Sequence, residues 1–300
     1  MNNIENSNGS KPGSSWIKTS ILRKLRPLIH TQTAIKLFEY TRLLNPNGHH
    51  DWVEVNQIDL TLPRLPISFH GYRVIQLSDL HIGTWLTLEK LEEAVEIVNR
   101  HQPDLVAITG DFVSYYPEQY ITDISSILSS IDARDGTLAV LGNHDHWTDA
   151  SMIRTHLDRV GIPVLNNRAH STQRGIDRMH IAGVDDHYVN KARLDLVLEQ
   201  LPPDGFSILM AHEPDFAEIS AKTGVFDLQI SGHSHGGQIS LPLIGPPYLP
   251  NYGRKYPAGL YQVEGMYLYT NRGLGTAEIQ VRLNCPPEIT VFCLNAPNVV

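Results

Sequence analysis

The sequence predicts an α/β domain with largely parallel strands, joined to a second sheet so that the chain forms a layered sandwich. Three observations point there. Short apolar runs of strand length alternate with helical patterns from Val74 to Thr223, the texture of βαβ units. From Gly237 onward strands and turns follow without a convincing helix. Five short clusters rich in metal-ligand side chains occur along the chain, four of them directly after an apolar run: Ser78-Asp79-Leu80-His81, Gly110-Asp111, Gly142-Asn143-His144-Asp145, Ala211-His212-Glu213 and Gly232-His233-Ser234-His235-Gly236.

Residues 1–14 have the polar, Gly- and Ser-containing composition of a disordered tail. Residues 15–48 read as a basic leader of one or two amphipathic helices. Trp16, Ile17, Ile21, Leu25, Leu28 and Ile29, then Ala34, Ile35, Phe38 and Leu43, recur at helical spacing, with a break near Pro27. Asn45-Pro46-Asn47-Gly48 is a turn and a boundary, leaving residues 49–300 for the main domain.

Within that domain Val53–Leu62 alternates like an antiparallel edge or half-buried strand. Buried strands are predicted at Val74–Leu77, Leu105–Ile108, Leu138–Leu141, Ile181–Ala182, Ile208–Ala211 and Leu228–Ile230. Helices are predicted at Leu88–Arg100, Ile121–Ile131, Ser151–Val160, Leu194–Leu201 and Phe216–Thr223. Gln238–Leu241, Gly259–Val263, Tyr267–Asn271 and Ile289–Leu294 complete the expected second sheet.

The formal charge of −8 is unevenly spread: seven cations against two carboxylates in residues 1–44 leave a net of −13 on the remainder. An acidic body argues against a nucleic-acid partner bound through phosphate neutralisation. The basic leader suits an anionic membrane surface, and equally a solvated basic helix. Cys285 and Cys293 are too few for a disulfide framework. No apolar run reaches membrane-span length and the N-terminus lacks a signal-peptide core, so the expected location is cytoplasmic, with peripheral attachment to the inner face of the membrane.

A carboxylate two residues from an imidazole, as in Asp79 and His81, suits a divalent transition metal, although such a pair alone is as readily a cap and a surface histidine. Asp111 follows Gly110, where the backbone can turn sharply over strand ends, and a carboxylate can bridge two cations. Asn143 offers a neutral amide oxygen beside the imidazole of His144. His233 and His235 stand in a tight glycine frame. Together they describe a two-metal site at one edge of a sheet.

In this order the clusters resemble the calcineurin-like metallophosphoesterase superfamily: Asp-x-His, Gly-Asp, Gly-Asn-His-(Asp/Glu), a lone His, and Gly-His-x-His. The resemblance spans residues 70–240 and implies a four-layer αββα sandwich of two mixed sheets flanked by helices. It also implies that Asp79, His81, Asp111 and His235 hold one metal and Asp111, Asn143, His212 and His233 the other. His144 would contact the scissile phosphate and protonate the leaving group. Two divalent ions, Mn, Fe or Zn by the mixed N/O donors, would activate hydroxide for in-line attack. One departure is visible: the family often has Gly-Asp-x-x-Asp, and Ser114 occupies the second Asp position, which puts the support behind the metal ligands in doubt.

The segments after Gly236, with Asn271-Arg272-Gly273-Leu274-Gly275, are similar to a bacterial branch of membrane-associated phosphodiesterases. That branch includes a UDP-2,3-diacylglucosamine pyrophosphatase, so the resemblance implies a phosphorylated small-molecule or lipid-linked substrate. The proline-rich run Leu241–Pro250 is either an apolar surface for acyl chains or a rigid loop packed on the core. Arg272 is a candidate contact for substrate phosphate. Asp185 and Asp186 read as turn or capping residues. A protein phosphatase or other phosphomonoesterase on the same metal core is the alternative enzyme, and a non-catalytic scaffold is disfavoured because every ligand position is filled.

Overall fold

The computed structural model describes residues 52–297, and the expected tail and leader lie outside them. The first sheet has five strands: β1 (Glu54–Thr61), β2 (Tyr72–Leu77), β3 (Leu105–Thr109), β4 (Thr137–Val140) and the last strand of the chain, Glu288–Asn295, in the order β1, last strand, β2, β3, β4. Strands β2, β3 and β4 are parallel, with Val74 opposite Leu105 and Val106 opposite Thr137. The connections between them carry α1 (Leu88–Arg100) and α2 (Pro117–Leu128), and after β4 come α3 (Asn143–Trp147) and α4 (Ala150–Arg159).

Helix α1 shows how locally these elements are specified. Thr87 caps it by accepting from the Lys90 N–H, and Leu91, Ala94, Val95 and Val98 recur at helical spacing on its buried side. With Ile121, Ile124 and Leu128 of α2 and Ile153 and Leu157 of α4 they cover one face of the first sheet, packing on Ile75, Leu77, Val106, Ile108 and Ala139.

The second sheet contains β5 (Arg168–Arg174), β6 (Asp177–Gly183), β7 (Phe206–Met210), β8 (Leu228–Ser231), β9 (Gly259–Val263) and β10 (Met266–Thr270), in the order β5-β6-β7-β8-β10-β9. The final strand, β11 (Glu288–Asn295), crosses back to the first sheet between β1 and β2. The inner faces meet through Val74, Leu105, Ala107, Leu138 and Phe292 on one side and Met179, Ile181, Phe206, Ile208, Leu228 and Ile230 on the other. The outer face of the second sheet is covered by α5 (Leu194–Leu198) and by the short helical turns from Pro214 to Thr223, including α6 (Ala217–Ser220), through Val197, Phe216, Ala217 and Ala221. The result is helices, sheet, sheet, helices, with both sheets mixed.

Several expectations change. The second sheet begins at β5, well before Gly237; β5 was not foreseen because its residues, RAHSTQR, are polar on both faces at an edge. Gln238–Leu241 forms only isolated bridges, Ile239 to Leu283 and Leu241 to Gly245. Strand β1 is an edge strand as expected, but it runs parallel to β11. Ile289–Leu294 belongs to the first sheet, since antiparallel pairing with β2 offers it a fully buried place.

Candidate metal centre

All five clusters lie beyond the carboxyl ends of parallel strands: β2 and β3 and β4 in the first sheet, β7 and β8 in the second. The loops after β2 and β3 continue side by side, with Asp79 N–H donating to Gly110 O and His81 N–H to Asp111 O. The loops after β7 and β8 are tied by Gly232 N–H to His212 O. Asp79 and His81 share the site, though not through strand alternation: β2 ends at Leu77, and both residues sit in left-handed backbone at φ 49° and 47°. Asp111, His233 and His235 are also left-handed. Such conformations are costly for non-glycine residues and persist where the surroundings over-determine them.

Glycine makes the close approach possible. A Cβ on Gly142 would lie 2.3 Å from Asp111 Oδ1, and one on Gly110, at φ +95°, 2.7 Å from the Gly142 nitrogen. Asp145 then binds the two loops together, its carboxylate accepting from the N–H groups of Asp111, Phe112 and Gly142. This places the start of α3, and so Asn143 and His144, over Asp111, whose Oδ1 accepts the His144 N–H at 2.9 Å.

The ligand-type atoms converge. Asp79, His81 and His235 offer atoms within 4.8 Å of one another, as do His81, Asp111 and His144, and Asp79, Asp111 and His212. His81 Nε2 is 3.3 Å from Asp111 Oδ2 and 3.1 Å from His235 Nε2; His212 Nε2 is 3.2 Å from Asp111 Oδ2. His235 Nε2 is 3.3 Å from Asp79 Oδ1.

Two buried atoms here lack a hydrogen-bond partner, Asn143 Oδ1 and His212 Nε2. Buried polar atoms are normally satisfied, and both are atoms that a cation would take. Ring orientation agrees. His212 Nδ1 faces Thr109 O at 2.6 Å and His233 Nε2 faces Asn251 O at 2.8 Å; a carbonyl only accepts, so each of these nitrogens carries the proton and the opposite nitrogen keeps a lone pair for a cation.

Electrostatics favour positive charge between these groups. Burial, with His212 adding to it, pushes His233 down to about 4, and burial with His81 and Arg282 holds His235 well below its ordinary value. Burial raises Asp111, but the imidazoles of His212 and His144 outweigh it and keep the carboxylate well below the usual range. Burial lowers His212, and Asp111 overcomes that to hold it well above the ordinary value. The negative field by which Asp111 favours positive charge at His212 Nε2 suits a divalent cation in the place of a proton there. The residues present therefore fit the metals that the sequence implied.

His144 lies beside this cluster, its ring centroid 4.7 Å from that of His81 and 4.8 Å from that of Trp147. Burial, reinforced by His81, His212 and His233 and opposed by Asp111, pushes its pKa down to about 4. Arg272, the candidate phosphate contact, is engaged by two carboxylates. Its guanidinium donates to Glu288 at 2.5 Å and to Glu54 at 3.0 Å. The run Leu241–Pro250 alternates half-buried and exposed residues, with Leu243 and Ile244 in solvent at the tip of a tight turn closed between Leu241 and Gly245.

Three contacts that support the centre were not read from the sequence. Buried Arg282 donates to the carbonyls of Arg272, Gly273 and Cys285, fixing the loop whose Leu274 and Gly275 N–H groups bond to Ser78 O and Asp79 O. Glu213, next to His212, accepts from His187 and Tyr188 N–H and so holds the 185–188 loop beside the centre. Asp185 meets His146 Nε2 at 2.7 Å, which steadies α3. A lone arginine or glutamate carries no spacing signal.

Residues 72–237 match the family described as Calcineurin-like phosphoesterase. The chain is 34% identical over 265 residues to the uncharacterized metallophosphoesterase YkuE of Bacillus subtilis (strain 168), covering 87% of this chain and 91% of that one. It is 30% identical over 224 residues to the phosphodiesterase YaeI of Escherichia coli (strain K12), covering 74% and 81%. A transmembrane protein with metallophosphoesterase domain from Bos taurus is 33% identical over 259 residues, 81% of this chain and 57% of that one. Among the described residues of the present chain, no helix is long and apolar enough to cross a membrane. A family match over more than half of the sequence, together with relatives of this similarity, establishes that the chain belongs to the calcineurin-like phosphoesterases and is a phosphoester hydrolase.

Proposed function

We propose that Asp79, His81, Asp111 and His235 hold one divalent cation and Asp111, Asn143, His212 and His233 a second, and that the enzyme hydrolyses a phosphodiester or diphosphate with His144 acting on the leaving oxygen. The observation that carries this reading is the convergence of the carboxylate and imidazole atoms of Asp79, His81, Asp111, His212 and His235 in overlapping groups within 4.8 Å, beside which Asn143 Oδ1 is buried without a hydrogen-bond partner. Carboxylate, amide and imidazole donors suit Mn, Fe or Zn. Such cations, when bound, polarise the phosphoryl group and acidify water.

The chain's own residues supply position and protons. The Asp111 carboxylate orients α3 by accepting the His144 N–H. Burial holds His144 neutral against the pull of Asp111; with the negative charge of a bound phosphoester added, the ring would take a proton from solvent and pass it to the departing oxygen.

For the substrate we favour a lipid-linked nucleotide sugar such as UDP-2,3-diacylglucosamine. The exposed apolar tip at Leu243 and Ile244 supports this, because its loop leads to Asn251, whose carbonyl binds His233. Cytoplasmic location, with residues 15–44 resting on an anionic membrane face, fits such a substrate, and no nucleic-acid partner is required.

The test is turnover with added Mn of bis-(p-nitrophenyl) phosphate, p-nitrophenyl phosphate and UDP-2,3-diacylglucosamine by wild type, Asp111→Ala and His144→Ala. Diester turnover that collapses in both variants supports the mechanism, and hydrolysis of the nucleotide sugar supports the substrate. Preference for p-nitrophenyl phosphate would turn the reading to a phosphomonoesterase. Deleting residues 1–44 should reduce liposome binding while sparing diester turnover; unchanged binding would remove the leader from the proposal.

A further inference from the structure

A continuous chain of aromatic rings borders the centre. The His144 ring packs against Trp147 at 4.8 Å, Trp147 meets Tyr188 edge-on at 5.5 Å, and Tyr188 lies 5.9 Å from His233 and 5.7 Å from Tyr252. It therefore runs from the proposed acid to a proposed ligand, His233. Neither Trp147 nor Tyr188 belongs to the three hydrophobic clusters that hold the described fold together. Trp147 is 55% exposed, a large apolar area left in water directly at a reaction centre.

The backbone that carries both rings is tied down. Helix α3 ends at Trp147, where Thr148 closes it by bonding His144 O through both its N–H and its hydroxyl. His146, one residue away, is gripped on both ring nitrogens, by Asp185 at 2.7 Å and Lys191 at 3.1 Å. Tyr188 is positioned through its N–H by Glu213, the neighbour of His212. The residues that set the ledge are thus tied to those that set the ligands, and the spacing between them is fixed. A rigid exposed indole gives planar contact area at little ordering cost.

We propose that Trp147, with Tyr188 at its edge, is the subsite for a planar aromatic group on the substrate, a nucleobase being the biological form, so that the enzyme selects nucleotide esters over aliphatic ones. This deepens the phosphodiesterase reading and rests on it. Base stacking on an aromatic side chain does not depend on a hydrogen-bond code, which fits a wall of rings.

The test compares two diesters whose shared leaving group is a non-aromatic thiol read with a chromogenic thiol reagent, the S-ethyl phosphorothiolate ester of uridine and S-ethyl methyl phosphorothiolate, with Mn added. Wild type should show the lower KM for the uridine ester. Trp147→Ala should raise that KM about tenfold relative to the methyl ester, and Trp147→Phe should restore most of the preference, because stacking is typically worth roughly a five- to hundredfold change in affinity per base. Equal KM values in wild type, or a loss in Trp147→Ala shared equally by both esters, would overturn the proposal and leave Trp147 as a prop for His144. If wild type cleaves neither ester, the phosphodiesterase reading fails, and the ledge is judged by calorimetric binding of uridine 5'-monophosphate. Binding that is lost in Trp147→Ala and kept in Trp147→Phe would support it, whereas no binding or equal binding by all three proteins would end it.

Discussion

Ser114 Oγ lies 2.8 Å from His81 Nδ1, both side chains buried, so the serine at the position where the family often carries aspartate reaches the histidine behind the centre. With His81 Nε2 turned to Asp111 and His235, Nδ1 is the nitrogen that carries the proton and the hydroxyl accepts it. The doubt raised by the missing carboxylate is answered by this contact. Ser114→Ala should weaken metal binding by about 10- to 100-fold, the usual effect of removing a partner behind a ligand, and Ser114→Asp should bind at least as tightly as wild type. Competition with a chromogenic chelator measures both.

His144 contributes chemistry rather than structure in the proposed mechanism. His144→Ala should lower kcat by roughly 10²- to 10⁴-fold with metal content unchanged, as expected for loss of a positioned acid. Elemental analysis of the purified variant beside its diester kinetics checks both parts. Loss of metal with activity would instead make His144 a ligand.

Asp186 is a buried carboxyl whose pKa is pushed up to about 8, first by burial and then by Glu213 beside it. Its folded value stands above its unfolded value near 3.8, so its contribution to stability is full below about 4 and is lost as pH rises towards 8. Asp186→Asn, which keeps an acceptor for the Val189 N–H, should therefore melt above wild type at pH 8 and lose that advantage at pH 4. Thermal unfolding at the two pH values gives the sign directly.

Arg272 is paired with Glu288, which is almost wholly buried and also meets the Tyr269 hydroxyl. Arg272→Ala leaves that carboxylate without its cation and should cost about 3–5 kcal/mol of stability. Urea unfolding measures the loss. A variant of unchanged stability and raised KM would return Arg272 to the substrate.

Much of the centre was legible because the chemistry of ligation demands particular side chains. Asp79, His81, Asp111, Asn143, His212, His233 and His235 stand in the five clusters, their proposed ligand roles implied by the family resemblance, and the strands β2, β3, β4, β7 and β8 were marked by their short buried runs. Other parts had no local signature. β5 is polar on both faces and pairs only because β6 presents an edge. β11 has the texture of its neighbours in sequence yet belongs to the other sheet, a choice made by long-range burial. Arg272 looks the same in sequence whether it faces phosphate or carboxylate, and only the position of Glu288 decides.

The sequence by itself determined which atoms could bind metal and in what order the strands deliver them, because ligand type and hydrophobic period are local properties of the chain. The tertiary structure decided how those atoms meet. Left-handed backbone at Asp79, His81, Asp111, His233 and His235, the Ser114 hydroxyl behind His81, the buried Arg282 behind the Asp79 loop, and the Trp147–Tyr188 wall all depend on contacts between residues far apart in the chain. Such conformations and pairings are unfavourable or indifferent in isolation, and are selected only when the folded surroundings supply every partner at once.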